Sequence, residues 1–338
     1  MKSIKKQRML TGDRPTGNLH LGHYAGSLKS RIKMQDEYDC FIMVADVQAL
    51  TDNFADPEKV KKNVFEVVVD NLSVGLDPKK ITYFIQSEIP SIAELTVFFS
   101  NLVTVSDLQR NPTVKNEIQE KGHIFKDGVV NLGFLAYPVS QSADIAFCKA
   151  EIIPVGKDQE PMIEQARRIY KKFNSLYNKV FPLPKAVFTE VSKLNGLDGR
   201  KMSKSLNNAI FLSDSLAVIE NKILSAKTDI DNTIKYDQEN KPAISNLIMY
   251  YQIVTGESID EIENKFLNIT SYKIFKEDLI KKINLFLEPI RERREYYIKN
   301  PDIVWDLLKR GGEQANKEGQ QTVIEAKKAM KIYYRGKN

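Results

Sequence analysis

Through the first half of the chain, short apolar runs alternate with longer amphipathic stretches. This alternation predicts an α/β fold built on a doubly wound parallel sheet. A loop containing two glycines follows the first apolar run, where such a sheet is expected to hold a ligand. After about residue 210 the alternation stops and helical patterning continues to the end, which predicts an all-α C-terminal domain.

The elements follow in order. RMLTG (8–12) reads as a short strand ending in glycine, and LGHYAGSLKSRIKMQ (21–35) as a helix. CFIMVAD (40–46) is a continuous apolar run of buried-strand length. PEKVKKNVFEVVVDNLSVG (57–75) is a helix with Pro57 near its start and Gly75 after its end. ITYFIQ (81–86) is a strand and SIAELTVFFSNLV (91–103) a helix; EIIPVG (151–156) is another strand, with a helix from about Asp158 to Phe173. KAVFTE (185–190) supplies the last strand. Beyond it, ISNLIMYYQIV (244–254) reads as a buried helix and the tail as a long amphipathic one.

With 338 residues, the chain has room for two domains of roughly 150 residues each. No apolar run approaches the roughly 20 residues that span a bilayer, and the N-terminal stretch lacks the apolar segment of a secretory signal. Only Cys40 and Cys148 are present, too far apart in sequence for a zinc motif or a disulfide framework, so a reducing cytoplasm is expected. A net charge of +6 is compatible with a polyanionic partner without requiring one.

The chemistry concentrates in GDRPTGNLHLGHYAG (12–26). Of three histidines in the chain, His20 and His23 stand here, one short helical step apart. Gly12 and Gly17 let the backbone approach a ligand, and the following helix directs unpaired N–H groups outward, which suits phosphate. Imidazoles at that place can donate to phosphate oxygens as charge builds on them. A metal pair would need a third ligand, and His123 lies far along the chain. A pair of surface histidines is the other possibility. A second cluster, KLNGLDGRKMSKSLNN (193–208), sets Arg200, Lys201 and Lys204 behind Gly196 and Gly199. A solvated basic turn is the ordinary state of such a run, but lysines on a mobile loop can also swing onto a triphosphate.

HLGH (20–23) and KMSKS (201–205) together resemble the two signature motifs of the class I aminoacyl-tRNA synthetases. The resemblance covers essentially the whole chain and narrows to the tryptophanyl-tRNA synthetase family. It is carried by RPTGNLHLGHYAGSLKS, MQDEYDCFIMVADVQALTDN, YPVSQSADI, IIPVGKDQEPMIEQARRIYKKFN and KPAISNLI. It implies ATP-dependent ligation of L-tryptophan to tRNA(Trp) through an adenylate, in a cytoplasmic homodimer, with Mg2+ carried on the ATP phosphates. His20, His23, Lys201 and Lys204 would stabilise the charge moving onto pyrophosphate. Arg14, Pro15, Thr16 and Gly22 would line the ATP beside His23. Gly156 would let adenosine approach, Asp158 would hold a ribose hydroxyl next to Lys157, and Leu194 would sit against adenine. Met202, Ser203 and Ser205 would complete the ATP loop. Leu10, Gln48, Tyr137, Gln141, Asp144 and Gln159 would surround tryptophan. The implied organisation is a catalytic domain over 1–206 with a helical insertion at about 104–150, an anticodon-binding helical domain over 207–300, and a C-terminal helix over 301–338 packing back on the body. Within the insertion, Arg110 and Lys115 are further phosphate candidates.

Tyrosyl-tRNA synthetases share the Tyr137–Gln141–Asp144 pattern, and Asp144 could accept from an indole N–H or a phenol O–H. Gln141 stands where tryptophan enzymes more often carry methionine, which favours tyrosine. Leu10 stands where tyrosine enzymes carry a second tyrosine, which favours indole. The longer stretches decide for tryptophan, and the tyrosine enzyme is the alternative. A small-molecule adenylyltransferase would not need the helical region, and a non-catalytic RNA-binding module would not need both motifs. Two further departures stand out: Gln48 replaces a histidine typical of the family, and Glu117 stands where some members have lysine, so no role is carried onto it.

Overall fold

Five parallel strands form the sheet: β1 (Arg8–Asp13), β2 (Asp39–Val44), β3 (Ile81–Ile85), β4 (Ile152–Val155) and β5 (Lys185–Phe188), in the order β3-β2-β1-β4-β5. The computed structural model describes residues 6–120, 129–188, 194–202 and 206–334. The chain winds from β1 outward to β3, then returns past β1 to begin β4. The connections therefore diverge between β1 and β4, and a crevice opens beyond the carboxyl ends of those two strands.

The apolar runs account for the strands. Cys40, Phe41, Ile42, Met43 and Val44 of β2 are all buried, as a strand covered on both faces requires. The strand expected over 40–46 stops sooner, because a helix begins at Asp46: α3 (Asp46–Asn53). The helix expected over 21–35 is a composite. A short α1 (Leu21–His23) passes through a π turn (Tyr24–Leu28) into α2 (Lys29–Met34). A π turn inserts one extra residue and re-aims the side chains that follow it, and such turns recur at functional sites. Helix α4 (Pro57–Ser73) starts on Asp56, whose side chain caps Lys59, and is followed by Gly75 at φ +118°, a value glycine adopts without strain.

Next come α5 (Pro90–Ser100), α6 (Val105–Arg110), α7 (Pro112–Glu120), α8 (Leu132–Phe147) and α9 (Glu160–Leu176). Helices α5, α8 and α9 cover one face of the sheet over Leu10, Phe41 and Phe84. Helix α4 covers the other, over Met9, Ile42 and Tyr83. The remaining helices are α10 (Leu216–Leu224), α11 (Pro242–Thr255), α12 (Ile259–Lys265), α13 (Tyr272–Lys299) and α14 (Pro301–Ala329). Their core, with Tyr250, Tyr251 and Phe275 at its centre, also takes in Leu19, Leu21 and Leu28 from the first loop and its helix. The helical region thus shares its core with the histidine motif.

Helix α14 lies against the edge strand β3. It contributes Val304 and Leu307 to the core on one face of the sheet, and Ala315 and Val323 to the core on the other. This closes an edge that would otherwise expose its ladder groups. The approach is close because Gly311 has no side chain: a Cβ there would stand 1.8 Å from the Tyr83 carbonyl oxygen. Gly311→Ala is therefore expected to part α14 from β3 and destabilise the fold by about 1–3 kcal/mol, read as a lower Tm in thermal denaturation. Gly26→Ala, where a Cβ meets nothing within 4 Å, should leave the Tm unchanged or slightly raised.

Candidate active site

The crevice between β1 and β4 contains a cavity of about 390 Å³, a size that suits a small-molecule ligand. Its walls are the ends of β1 and β4, the π turn at Gly26 and Ser27, and the inward face of α8. Of the residues singled out from sequence, Leu10, Arg14, Gln48, Tyr137, Gln141, Asp144, Gly156 and Gln159 line this one space.

Beneath the first loop lies a buried ion pair. Arg31, only 3% exposed, donates to both carboxylate oxygens of Asp13, at 2.5 and 2.9 Å, and to the Gly12 carbonyl at 3.1 Å. Asn71 of α4 donates to the same carboxylate at 2.9 Å. Burial alone would push the Asp13 carboxyl up, but Arg31 and Asn71 hold it below its ordinary value. The start of the loop is thereby fixed.

The two histidines have defined roles in the local backbone. His20 caps α1: its Nδ1 accepts the Gly22 N–H at 3.1 Å, while Nδ1 of His23 accepts the His20 N–H at 3.2 Å. With Nδ1 accepting in both rings, the neutral proton sits on Nε2, which makes each ring a donor through that atom. The rings lie 3.8 Å apart between centroids.

The second motif comes to the same place. Leu21 N–H donates to the Ile210 carbonyl at 2.9 Å and Leu212 N–H to the Leu19 carbonyl at 3.0 Å, so the segment after KMSKS pairs with the HLGH strand-like entrance. A Cβ on Gly22 would stand 2.7 Å from the Met202 sulfur and 2.9 Å from the His20 ring. The glycine in HLGH is thus what lets the second motif close onto the first. The turn before it is tight: Gly196 N–H donates to the Arg200 carbonyl at 2.7 Å, Gly199 sits at φ +83°, and Asn208 ties Asp198 to the Lys201 carbonyl. Leu194 packs with Met202 against the helical core. Lys201 extends across to Glu120 of α7 at 2.9 Å, both side chains being exposed. Ser203, Lys204 and Ser205 lie outside the described residues, as does His123.

At the deep end of the cavity stands Asp144, 2% exposed, on α8. Its Oδ1 accepts from Nε2 of Gln86 at 2.8 Å; its Oδ2 is buried with no protein partner. Burial pushes the carboxyl up to about 7, moderated by the Gln86 bond. Gln86, at the end of β3, was not singled out from sequence. It also accepts the Gln48 N–H at 3.0 Å and so fixes α3 to the carboxylate. Tyr137 lies two helical turns before Asp144, with Gln141 between them. Burial and the neighbouring Glu117 carboxylate raise the Tyr137 phenol above its ordinary value. Glu117 lines the cavity too.

The turn after β4 completes the crevice. Asp158 is not a helix cap: α9 starts on Gln159 with no side-chain cap bond, and the Asp158 carboxylate instead accepts from Gln159 at 2.7 Å. Lys157 and Asp158 are exposed, while Pro15 is buried and Thr16 partly so in the first loop, away from the cavity lining. Arg110 is turned to Asp107 on its own helix at 3.1 Å, and Lys115 is exposed on α7. Among the described residues no group of three or more His, Cys, Asp or Glu side chains could hold a metal ion.

Comparison with known proteins is consistent across sequence and structure. The family model for class I tRNA synthetases (W and Y) matches residues 2–288. A tryptophan–tRNA ligase of Lactococcus lactis is 45% identical, covering 98% of this chain and 99% of its own. One from Clostridium longisporum is 44% identical over 98% of each. Among solved structures, the tryptophanyl-tRNA synthetase of Campylobacter jejuni complexed with ADP and tryptophan superposes with a TM-score of 0.83 at 29% identity, covering 96% of this chain and 100% of that one. A tyrosyl-tRNA synthetase of Archaeoglobus fulgidus shares the fold at a TM-score of 0.68 and 20% identity, covering 87% of this chain and 92% of that one.

The Asp144 carboxyl should titrate near 7 in the empty site when followed by carbon-13 NMR. Gln86→Leu removes the bond that favours the carboxylate, so the titration should move higher, and an unchanged or lower midpoint would contradict the assignment of Gln86 as its partner.

Proposed function

The chain belongs to the class I tRNA synthetases for tryptophan and tyrosine, and from that membership we infer that it ligates L-tryptophan to tRNA(Trp) with ATP, releasing AMP and pyrophosphate. The observation that carries this assignment is one crevice with a buried carboxylate at its deep end and the two nucleotide motifs paired beside it. Relatives named tryptophan–tRNA ligase at 44–45% identity over nearly the full length support tryptophan over tyrosine.

In the first step the tryptophan carboxylate attacks the α-phosphorus of ATP and pyrophosphate leaves. In the second, the terminal ribose of the tRNA takes the aminoacyl group from the adenylate. The protein's part is placement and charge stabilisation, without a covalent intermediate of its own. The indole N–H would donate to Oδ2 of Asp144, with Leu10 and the β4 side chains Ile153 and Val155 against the ring. Tyr137 and Gln159 would hold the amino group, and Gln48 the polar groups near the carboxylate. Arg14, Gly156 and Asp158 would take the nucleotide. His20 and His23 would donate through Nε2 to the triphosphate, joined by Lys201 and Lys204 once Lys201 leaves Glu120. Mg2+ supplies charge neutralisation when carried on the phosphates, which needs few protein ligands.

The helical region after residue 206 is our candidate for the tRNA anticodon. Apolar side chains left exposed near α3, α5, α6 and α8, namely Phe54, Val97, Val105 and Leu132, support a homodimer through that face. No helix among the described residues is long and apolar enough to cross a membrane, and we place the enzyme in the cytoplasm.

Amino-acid-dependent ATP–pyrophosphate exchange tests the assignment. Tryptophan should stimulate it and tyrosine should not; stimulation by tyrosine would overturn the specificity, and none by any amino acid would overturn the enzyme class. A second expectation concerns pH. A protonated Asp144 accepts the indole N–H poorly, so KM for tryptophan should rise as pH falls below about 7 and level off above it. Asp144→Asn should flatten that profile.

A further inference from the structure

Asp70 sits within α4 with no exposed surface. A carboxylate so placed requires a counter-charge and hydrogen-bond donors. Its Oδ1 accepts from Nε of Arg294 on α13 at 2.9 Å, and the same guanidinium pairs with Glu66. Its Oδ2 accepts the backbone N–H of Leu19 at 2.7 Å. Leu19 is the residue before His20, and its carbonyl receives the Leu212 N–H. Asn71, next in the chain, holds the Asp13 carboxylate at 2.9 Å. Two adjacent side chains of α4 therefore fix both ends of the loop from Asp13 to Leu19. Arg293 grips the end of α4 as well, donating to the Ser73 carbonyl at 2.6 Å.

We propose that Arg294 is a positioning residue for the nucleotide: by holding Asp70 in place it fixes the Leu19 N–H, and with it the reach of His20 and His23 toward the triphosphate. The proposal rests on the assignment of the histidine loop to ATP. Arg294 does not touch the cavity; its influence passes through Asp70. Burial already pushes the Asp70 carboxyl up despite the bonds from Leu19 and Arg294. Without the guanidinium, the carboxyl would take up a proton more readily and lose its charge-assisted bond to Leu19. The deep end of the cavity, built from Asp144, Gln86 and Tyr137 on other elements, has no part in this network.

That separation gives the test. ATP and tryptophan affinities are measured separately by equilibrium dialysis on full-length variants, together with tryptophan-dependent exchange. In Arg294→Met, ATP affinity and exchange should fall roughly 10- to 100-fold while the tryptophan Kd stays within about twofold of the parent's. Adding Asp70→Asn removes the stranded buried charge yet leaves an acceptor for Leu19, so the double variant should recover most of the loss. Equal loss for both ligands, no loss for either, or no recovery in the double variant would overturn the proposal. If Arg294→Met does not fold, Arg294→Lys, which keeps the cation but loses the two-point hold on Asp70 and Glu66, should show the same selective loss of ATP affinity at a smaller size. A parent that binds ATP but shows no tryptophan-stimulated exchange would refute the enzymatic assignment and leave this proposal to be judged on ATP affinity. A parent that binds no ATP would overturn both.

Discussion

A loop that presents side chains at the mouth of a crevice must be held still. Here the holding is done from below, by charges buried beneath the loop. Arg31 on Asp13 at one end, and Asp70 on the Leu19 N–H at the other, fix the loop from beneath, while the histidine Nδ1 atoms brace its exit into α1. Buried ion pairs are weak sources of net stability, because desolvation offsets most of the attraction. What they give is a single arrangement: breaking either partner strands a charge, so the loop has few alternatives of comparable energy. The cost is accepted at a loop that borders the crevice, where a single arrangement matters most.

The pairing of the two motifs follows from the same economy of structure. The segment after KMSKS forms backbone bonds to Leu19 and Leu21, and Gly22 leaves just enough space for Met202. Because Leu19 and Leu21 also belong to the core of the helical region, the histidines are anchored at once to α4, to the segment after KMSKS and to the C-terminal helices. The cavity's deep end is independent of this. There the carboxylate of Asp144 rests on Gln86, and burial pushes its titration up to about 7. One crevice thus contains two separately braced halves.

Much of this was legible in the sequence, and the reasons for the exceptions are physical. The strands were legible because burial on both faces demands continuous apolar runs, as in CFIMV. The site loops were legible because glycine, proline and histidine in that order have few structural uses. Gln86 was not, since the last letter of ITYFIQ carries no sign of which way its amide points. Asp70 left a trace: an acid amid VVVDNLSVG breaks an apolar helix face, and such a residue needs a partner. Nothing in the sequence could name that partner as Arg294, 224 residues away. The π turn was hidden as well, since YAGSL reads as an ordinary helix and only the packing of its neighbours adds the extra residue.

The hardest distinction, indole against phenol, comes down to how many donors and acceptors the ring end can satisfy. Asp144 Oδ2 and Gln141 Oε1 are both buried and without protein partners, one helical step apart. Both are acceptors, and a donor from a ligand or a water would satisfy either of them. An indole N–H is a donor only, so it can meet Asp144 Oδ2 and needs no donor from the protein in return. A phenol O–H can also donate, but its oxygen then seeks a donor in turn, and the position that could supply one from β1 is Leu10, which is apolar and buried. Gln141 carries a donor amide as well as its buried oxygen, so it can serve either ring end and does not by itself separate the two ligands. On the reading proposed above, the preference for indole turns on Leu10, which offers a phenol oxygen no donor from β1.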